Sequence, residues 1–290
     1  MAHGLIALLW LLHWLPLRAQ AKLGAALGFL LWHFARSRRQ VALRNIELCL
    51  HHQSAADAIL LAKKHFTLVA RSFLERGLLW FASEARLRRL IQVEGYVALA
   101  DDSAQPVMWL VPHFVGLDVA GVAAMLYVDK KFASIYQAQT NPVVDAAMRR
   151  GRLRFGKTDI FPRSDTVKPL LKCIKQGMPF FNLPDMDFGA RDAAFVPFFG
   201  VSAATLTAPS RIARAAHMQV QLVIAHMRED GGGYVVRFCE PLRNFPTSDP
   251  VADTTRMNAL IEAEVRLQPA QYLWVHKRFK TRPEGEASLY

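Results

Sequence analysis

From Gly95 to the C-terminus, short apolar runs alternate with amphipathic stretches of helical length, and that alternation restricts the chain to an α/β layer architecture. The apolar runs predict strands at Val107–Val111, Phe132–Tyr136, Asp159–Phe161, Pro179–Leu183, Gln219–His226 and Tyr234–Phe238. Between and after them the spacing predicts helices over Leu117–Tyr127, Pro142–Arg152, Asp165–Gln176, Ala204–Ala216 and Asp253–Leu267. Strands separated by helices are joined by crossovers, so the expected sheet is mixed and mostly parallel, flanked by helices. Gly231-Gly232-Gly233 predicts a hairpin turn between the last two strands; no helix follows it, as a phosphate-binding glycine loop would require.

Upstream, Gln40 to Ile91 is helical in pattern, with Leu60, Lys64, Thr67, Leu68 and Arg71 spaced to separate an apolar from a basic face. Ser54 and Asp57 supply helix-start chemistry. The first forty residues are dominated by Leu, Ala, Trp and Phe but interrupted by Pro16, Arg18, Gln20 and Lys22. Two arrangements satisfy that pattern: a tilted or kinked span, or a helical hairpin or interfacial helix within one leaflet. Ala19-Gln20-Ala21 mimics a signal-peptide cleavage site, but no Lys or Arg precedes the apolar run and a second apolar run follows it. The cluster Arg36, Arg38, Arg39 and Arg44 marks a cytoplasmic flank. The expected organisation is a membrane anchor over 1–40 and one α/β domain over 41–290, in which 41–94 is a helical lead-in.

Lys and Arg outnumber Asp and Glu by 36 to 24, a formal net charge of +12, which calls for an anionic partner. The basic residues are spread among apolar runs and accompany no finger, helix-turn-helix or RNA-recognition motif, so a nucleic-acid partner is not expected. Cys49, Cys173 and Cys239 lie far apart and read as free thiols of a reducing compartment. His51-His52 lacks ligands at metal spacing and reads as surface.

The chemistry concentrates at Pro112-His113-Phe114-Val115-Gly116-Leu117-Asp118, where a strand ends and a helix begins. On an unbroken helix, five residues turn a side chain by about 140°, so His113 and Asp118 meet only if the histidine sits in the loop and the carboxylate in the first helical turn. In that arrangement Asp118 holds one ring N–H of His113, and the other nitrogen is free to take a proton from a hydroxyl. No G-x-S-x-G serine is present, and no cysteine has a local partner, so direct transfer is favoured over a covalent enzyme intermediate. The bland alternative is a histidine that caps the helix or satisfies a buried carbonyl.

Other positions carry two readings each. Arg149, Arg150, Arg152 and Arg154 crowd a helix end, either as a solvated face favoured by the helix dipole or as a phosphate site for guanidinium forks. Arg163 follows a strand on the side of the sheet where α/β proteins bind ligands, which suits acceptor or phosphate binding or an oxyanion. Asp185-x-Asp187 reads either as a metal pair or as a polar wall of an acceptor pocket. Phe195, Phe198 and Phe199 around Pro197 read as core or as the wall of an apolar pocket.

His113-x4-Asp118 resembles the signature of the glycerolipid and lipid A acyltransferases, and further blocks resemble the lipid A late acyltransferases in particular. These blocks are Gly151-Arg152-Leu153-Arg154, Phe161-Pro162-Arg163-Ser164-Asp165, Pro184-Asp185-Met186-Asp187-Phe188-Gly189, Phe195-Val196-Pro197-Phe198-Phe199-Gly200 and the tail from Gln271-Tyr272-Leu273-Trp274 to Arg282-Pro283. Their order and spacing cover nearly the whole chain. The resemblance implies transfer of a fatty acyl chain from an acyl carrier protein thioester to a hydroxyl of a Kdo-substituted lipid A precursor at the bacterial inner membrane. It implies a single N-terminal anchor and a cytoplasmic catalytic domain. It implies His113 as base with Asp118 as its orienting partner, and substrate contacts from Arg149, Arg152, Arg163, Asp185, Asp187, Phe198 and Phe199. It calls for no metal and no cofactor, since a thioester is already activated. Two rivals stand beside it: acylation of a glycerophospholipid or other membrane alcohol by the same His113 and Asp118 chemistry, and a non-enzymatic basic membrane-binding protein in which those two residues are dispensable and the Arg36 to Arg44 cluster is not.

Overall fold

The computed structural model describes residues 2–164 and 167–290. Helices α1 (Ala2–Leu12), α2 (Leu17–Phe34), α3 (Arg36–Cys49), α4 (Ala55–Leu74), α5 (Arg76–Phe81) and α6 (Glu84–Leu90) precede strand β1 (Ile91–Gly95) and the short α7 (Leu99–Asp102). The central alternation follows: β2 (Val107–Leu110), α8 (Leu117–Tyr127), β3 (Phe132–Tyr136), α9 (Pro142–Leu153), β4 (Thr158–Pro162), α10 (Lys168–Lys175) and β5 (Phe180–Asn182). The last third holds β6 (Ala193–Phe198), β7 (Val201–Leu206), α11 (Ala208–Ala215), β8 (Gln219–Met227), β9 (Tyr234–Pro241) and α12 (Pro250–Leu267).

Seven strands form one sheet in the order β1-β9-β8-β2-β5-β3-β4, and every neighbouring pair is parallel except β8 with β9. The mixed, mostly parallel sheet expected from the sequence is therefore present, with its hairpin turn at Gly231–Gly233. Strand β2 lies at its centre and is buried on both faces. Val107, Trp109 and Val111 join the core beneath α8, while Met108 and Leu110 join the opposite core beneath α3, α10 and α12. The Trp109 ring meets Phe132, Phe181 and Phe238 edge-on, and its indole N–H donates to Gln221 Oε1 at 3.1 Å.

Three elements differ from the sequence expectation. The helical pattern read through to Ile91 ends at Leu90, and Ile91–Gly95 joins the sheet as an edge strand against β9. The helix expected over Ala204–Ala216 begins only at Ala208; the alanine-rich Val201–Leu206 is instead a strand paired with β6. The pairing is set by the turn at Phe199 and Gly200, both at positive φ (52° and 76°), a backbone that reverses the chain into a two-residue hairpin. The helix expected from Asp165 begins at Lys168; Asp165 itself lies outside the described residues.

The N-terminal apolar region is two helices broken around Pro16, and among the described residues no helix is long and apolar enough to cross a membrane. Nor does the region stand apart from the rest. A side chain at Gly24 would come within 2.9 Å of the Arg71 Cα, and one at Gly28 within 2.6 Å of the Thr67 Cα, so α2 lies backbone to backbone on α4. Arg86 donates to the carbonyls of His13 and Leu15, fixing the corner between α1 and α2. Ser54 caps α4 as expected, its hydroxyl accepting from the Asp57 N–H. Arg71, assigned to a basic face by spacing, is instead buried; it donates to Glu75, which also accepts from the Tyr234 hydroxyl at 2.8 Å.

Candidate active site

Parallel strands deliver their carboxyl ends to one edge of the sheet, and the loop after β2 places His113 there. The loop is held from both sides. Phe114 is buried against Tyr272 and His226, the Val115 N–H donates to the Gln271 carbonyl, and the His113 carbonyl accepts from the Leu273 N–H at 2.9 Å. Gln271 in turn exchanges side-chain hydrogen bonds with both backbone groups of Met227 at the end of β8. The aromatic tail thus acts as a short added strand that fixes the histidine loop. Asn45 secures the tail by donating to the carbonyls of Trp274 and His276, both at 2.7 Å.

The imidazole pairs with Asp185, just past β5. Asp185 Oδ1 lies 2.7 Å from His113 Nδ1, and Oδ2 accepts the His113 backbone N–H at 2.9 Å. The carboxylate is fully buried. Burial pushes its pKa up, but the charge and hydrogen bonds of His113, together with the Arg278 guanidinium, outweigh that and hold it below the usual value. An ionised Asp185 takes the Nδ1–H tautomer and leaves Nε2 free; the ring remains 14% exposed.

Asp118 does not hold His113. Sitting in the first turn of α8, its carboxylate points toward α5 and α9, where Oδ2 lies 3.2 Å from Arg76 Nε and Oδ1 lies 3.0 Å from Arg152 Nη2. Burial would raise its pKa, but Arg152 and Arg76 overcome that and bring it down to about 2. The expectation that these two residues pair is corrected accordingly: the carboxylate on the His113 ring comes from the loop after β5, and Asp118 instead anchors two guanidinium groups.

The sequence matches the family model described as bacterial lipid A biosynthesis acyltransferase over residues 3–281. The chain belongs to that family. It is 32% identical over 288 residues to the lipid A biosynthesis lauroyltransferase of Escherichia coli K12, covering 98% of this chain and 93% of that protein. It is 31% identical over 291 residues to the palmitoleoyltransferase of the same strain, with 98% and 92% covered, and 27% identical over 268 residues to its myristoyltransferase, with 92% and 82% covered.

In this lipid A acyltransferase family member the remaining expected residues divide. Asp187 is not open to a ligand: Oδ1 accepts from the Gly189 N–H and the Thr281 hydroxyl, and Oδ2 accepts from the Thr281 N–H at 2.6 Å, so it staples the tail to the site. Both carboxylates of Asp185-x-Asp187 are thereby taken up by protein donors. Arg163 follows β4 at the same edge and lays its guanidinium 3.4 Å from the centre of the Phe188 ring, next to the Asp187 loop. Arg149 donates to the Tyr136 hydroxyl at 2.5 Å, whereas Arg154 is spent on the carbonyls of Leu79 and Ala82. Phe198 is fully buried against Tyr272 and Phe279, and Phe199 occupies the β6–β7 turn with Arg266 over its ring. As placed, Phe198 offers no surface to a substrate, which corrects its reading as a pocket wall. The three cysteines are free, and burial raises each thiol above its usual pKa, away from nucleophilic thiolate. His51 and His52 are exposed.

Sequence reasoning missed Arg76, gave Leu273 and Thr281 no role beyond their place in the tail block, and did not pair Asp185 with His113. No local signal shows which residues pair, because each reaches the site from a separate element.

Proposed function

We propose that this chain transfers a fatty acyl group from an acyl carrier protein thioester to a hydroxyl of a Kdo-substituted lipid A precursor, with His113 as general base. The His113–Asp185 pair at the carboxyl edge of the sheet is the observation that carries this reading, and membership of the family supplies the substrate class. With Nδ1–H held by Asp185, Nε2 accepts the acceptor's hydroxyl proton as its oxygen attacks the thioester carbonyl. The tetrahedral adduct then collapses, the C–S bond breaks, and the leaving thiolate recovers the proton from His113. Arg76 and Arg152 share Asp118 and are about a third exposed (38% and 32%), so their outer N–H groups suit a phosphate or the developing oxyanion. Arg163 supplies a further cation at the same edge.

Membrane association fits the N-terminal helices. Trp10, Leu11, Trp14, Phe29 and Phe34 are 47% to 80% exposed, with Ile59 and Leu60 of α4 also exposed. Arg36 and Arg38 follow directly in the chain. Such a face lies in one leaflet on the cytoplasmic side of the bacterial inner membrane, where anionic headgroups meet the arginines and an acidic carrier protein reaches the basic body from the cytoplasm. The test is an assay of the purified full chain with carrier thioesters and a tetra-acylated precursor, read by mass spectrometry. Transfer by the wild type and its loss in His113→Ala is the expected result; full activity in His113→Ala overturns the assignment of the base.

A further inference from the structure

The tail that fixes the His113 loop is itself gripped by α3, and the grip centres on one side chain. Asn45 is 1% exposed, and every polar atom of its amide is engaged. Nδ2 donates to the Trp274 and His276 carbonyls, both at 2.7 Å, and Oδ1 accepts from the Tyr290 hydroxyl. Those carbonyls bracket Val275, whose own carbonyl accepts from Arg38 of the same helix at 3.2 Å. Leu273, one residue earlier, donates its N–H to the His113 carbonyl, and the His276 N–H closes the turn on the Leu273 carbonyl at 3.2 Å. A shift of this turn therefore carries the His113 backbone with it.

Tyr290 completes the arrangement. The chain reverses at Pro283–Glu286, where the Glu286 N–H donates to the Pro283 carbonyl and Gly285 takes a φ of 81°. It returns to α3, where the Leu289 carbonyl accepts from Arg44 Nε at 3.1 Å, and the Lys277 ammonium lies 5.4 Å from the centre of the Tyr290 ring. The hydroxyl accepts from the Phe279 N–H at 3.1 Å and donates to Asn45 Oδ1. Burial pushes its pKa up to about 12, so it keeps its proton and remains a donor at neutral pH. That donor fixes the amide: a flipped Asn45 would turn its oxygen toward two carbonyl oxygens and leave the tyrosine proton without an acceptor. Tyrosine thus ties the far part of the tail, at Phe279, to the helix that holds its near part.

We propose that Asn45 and Tyr290 are positioning residues for the general base: the Tyr290 hydroxyl orients the Asn45 amide, Asn45 holds the turn at 274–276, and the turn holds the His113 backbone through Leu273. Asp185 fixes the imidazole from one side, and this relay fixes its loop from the other, so that Nε2 is presented at one place. A misplacement of about 1 Å at a reacting group costs on the order of 10^2 in rate, which is what a loosened loop would forfeit. The relay rests on the acyl-transfer reading above and adds two residues to it.

The test compares the wild type, Tyr290→Phe, Asn45→Ala and the double variant as full chains, with Ser210→Ala as control. Ser210 is buried on α11 and donates to Asp253 at 2.6 Å, so its replacement removes a buried hydroxyl hydrogen bond elsewhere in the fold. Transfer from the carrier thioester is measured at a temperature where each variant is folded, and amide hydrogen exchange is followed in peptides covering 113–118 and 271–276. Tyr290→Phe should lower kcat about tenfold and Asn45→Ala about 10^2-fold, with KM for the thioester within about twofold of the wild type. The double variant should be within about twofold of Asn45→Ala, because two members of one relay do not multiply. Both peptides should exchange faster in all three relay variants, whereas Ser210→Ala should lower the melting temperature and leave kcat unchanged. Unchanged exchange, faster exchange with wild-type kcat, losses that multiply, or an equal loss of kcat in Ser210→Ala each overturn the relay. If the wild type transfers to no lipid alcohol while Tyr290→Phe still speeds exchange in both peptides, the hold on the loop stands and the acyl-transfer reading is refuted instead.

Discussion

His113 Nδ1 lies 2.7 Å from Asp185 Oδ1, while Asp118, the carboxylate nearer in sequence, gives both its oxygens to Arg76 and Arg152. The two carboxylates therefore have separate tasks. Asp185 accepts from the His113 ring, and Asp118 holds two cations. Substitutions at the two positions should differ in kind as well as in size.

Asp118 should show its role in acid. Its folded pKa, about 2, is below the unfolded carboxylate value near 3.9, so the unfolded chain binds a proton first as pH falls. The stability it contributes is complete above about pH 4 and disappears as pH drops toward 2. Melting curves of the wild type and Asp118→Asn should differ by a constant amount from pH 7 to about pH 4 and converge below that. Curves that run parallel down to pH 2 contradict the Arg76 and Arg152 pairing.

One buried and two half-buried histidines predict a second pH dependence. His65, His226 and His276 are each pushed down to about 4 by burial, and His65 Nδ1 donates to the Ala270 carbonyl at 3.0 Å. Unfolded histidine titrates near 6.5, so between pH 6.5 and 4 the unfolded chain carries protons that the folded one refuses. Stability is full above about pH 6.5 and falls as pH drops through this window. Urea unfolding should give a free energy at least about 2 kcal/mol lower at pH 5 than at pH 7; equal values argue against neutral histidines at these three places.

How far the fold was readable follows from which contacts are local. The strand runs, the hairpin glycines, the Ser54 cap and the start of α8 at Leu117 all depend on neighbours in sequence, and they were legible. His113 was legible for the same reason, as the residue where a doubly buried strand ends. Its partner was not, since Asp185 is 72 residues away, and Arg76 reaches Asp118 across 42. Periodicity likewise could not show that Arg71 is buried, because its partner Glu75 meets the Tyr234 hydroxyl only once α4 packs on the sheet. At Val201–Leu206, tertiary pairing with β6 overrode alanine's helix preference.

The N-terminal helices should be inseparable from the body. Gly28→Leu forces a side chain into the Thr67 backbone and should destabilise the protein by about 1–3 kcal/mol or more. Calorimetry should show a lowered melting temperature for the single cooperative transition of the whole chain. An unchanged melting temperature would mean that α2 is only loosely attached.

Asp187 should matter through the tail. Asp187→Ala leaves the half-buried Thr281 N–H and hydroxyl without their acceptor, at a cost of about 1–3 kcal/mol, and frees the segment whose Leu273 N–H holds the His113 carbonyl. Lowered stability together with a reduced kcat is expected. Normal stability and activity contradict the staple.

The central claim is that Asp185 orients the catalytic base, and the kcat of Asp185→Asn in purified full-length protein tests it most directly. An asparagine at this place keeps the shape but presents an amide that favours the wrong ring tautomer, so kcat should fall by about 10^3 to 10^4 while KM for the carrier thioester changes little. A kcat within threefold of the wild type would contradict it.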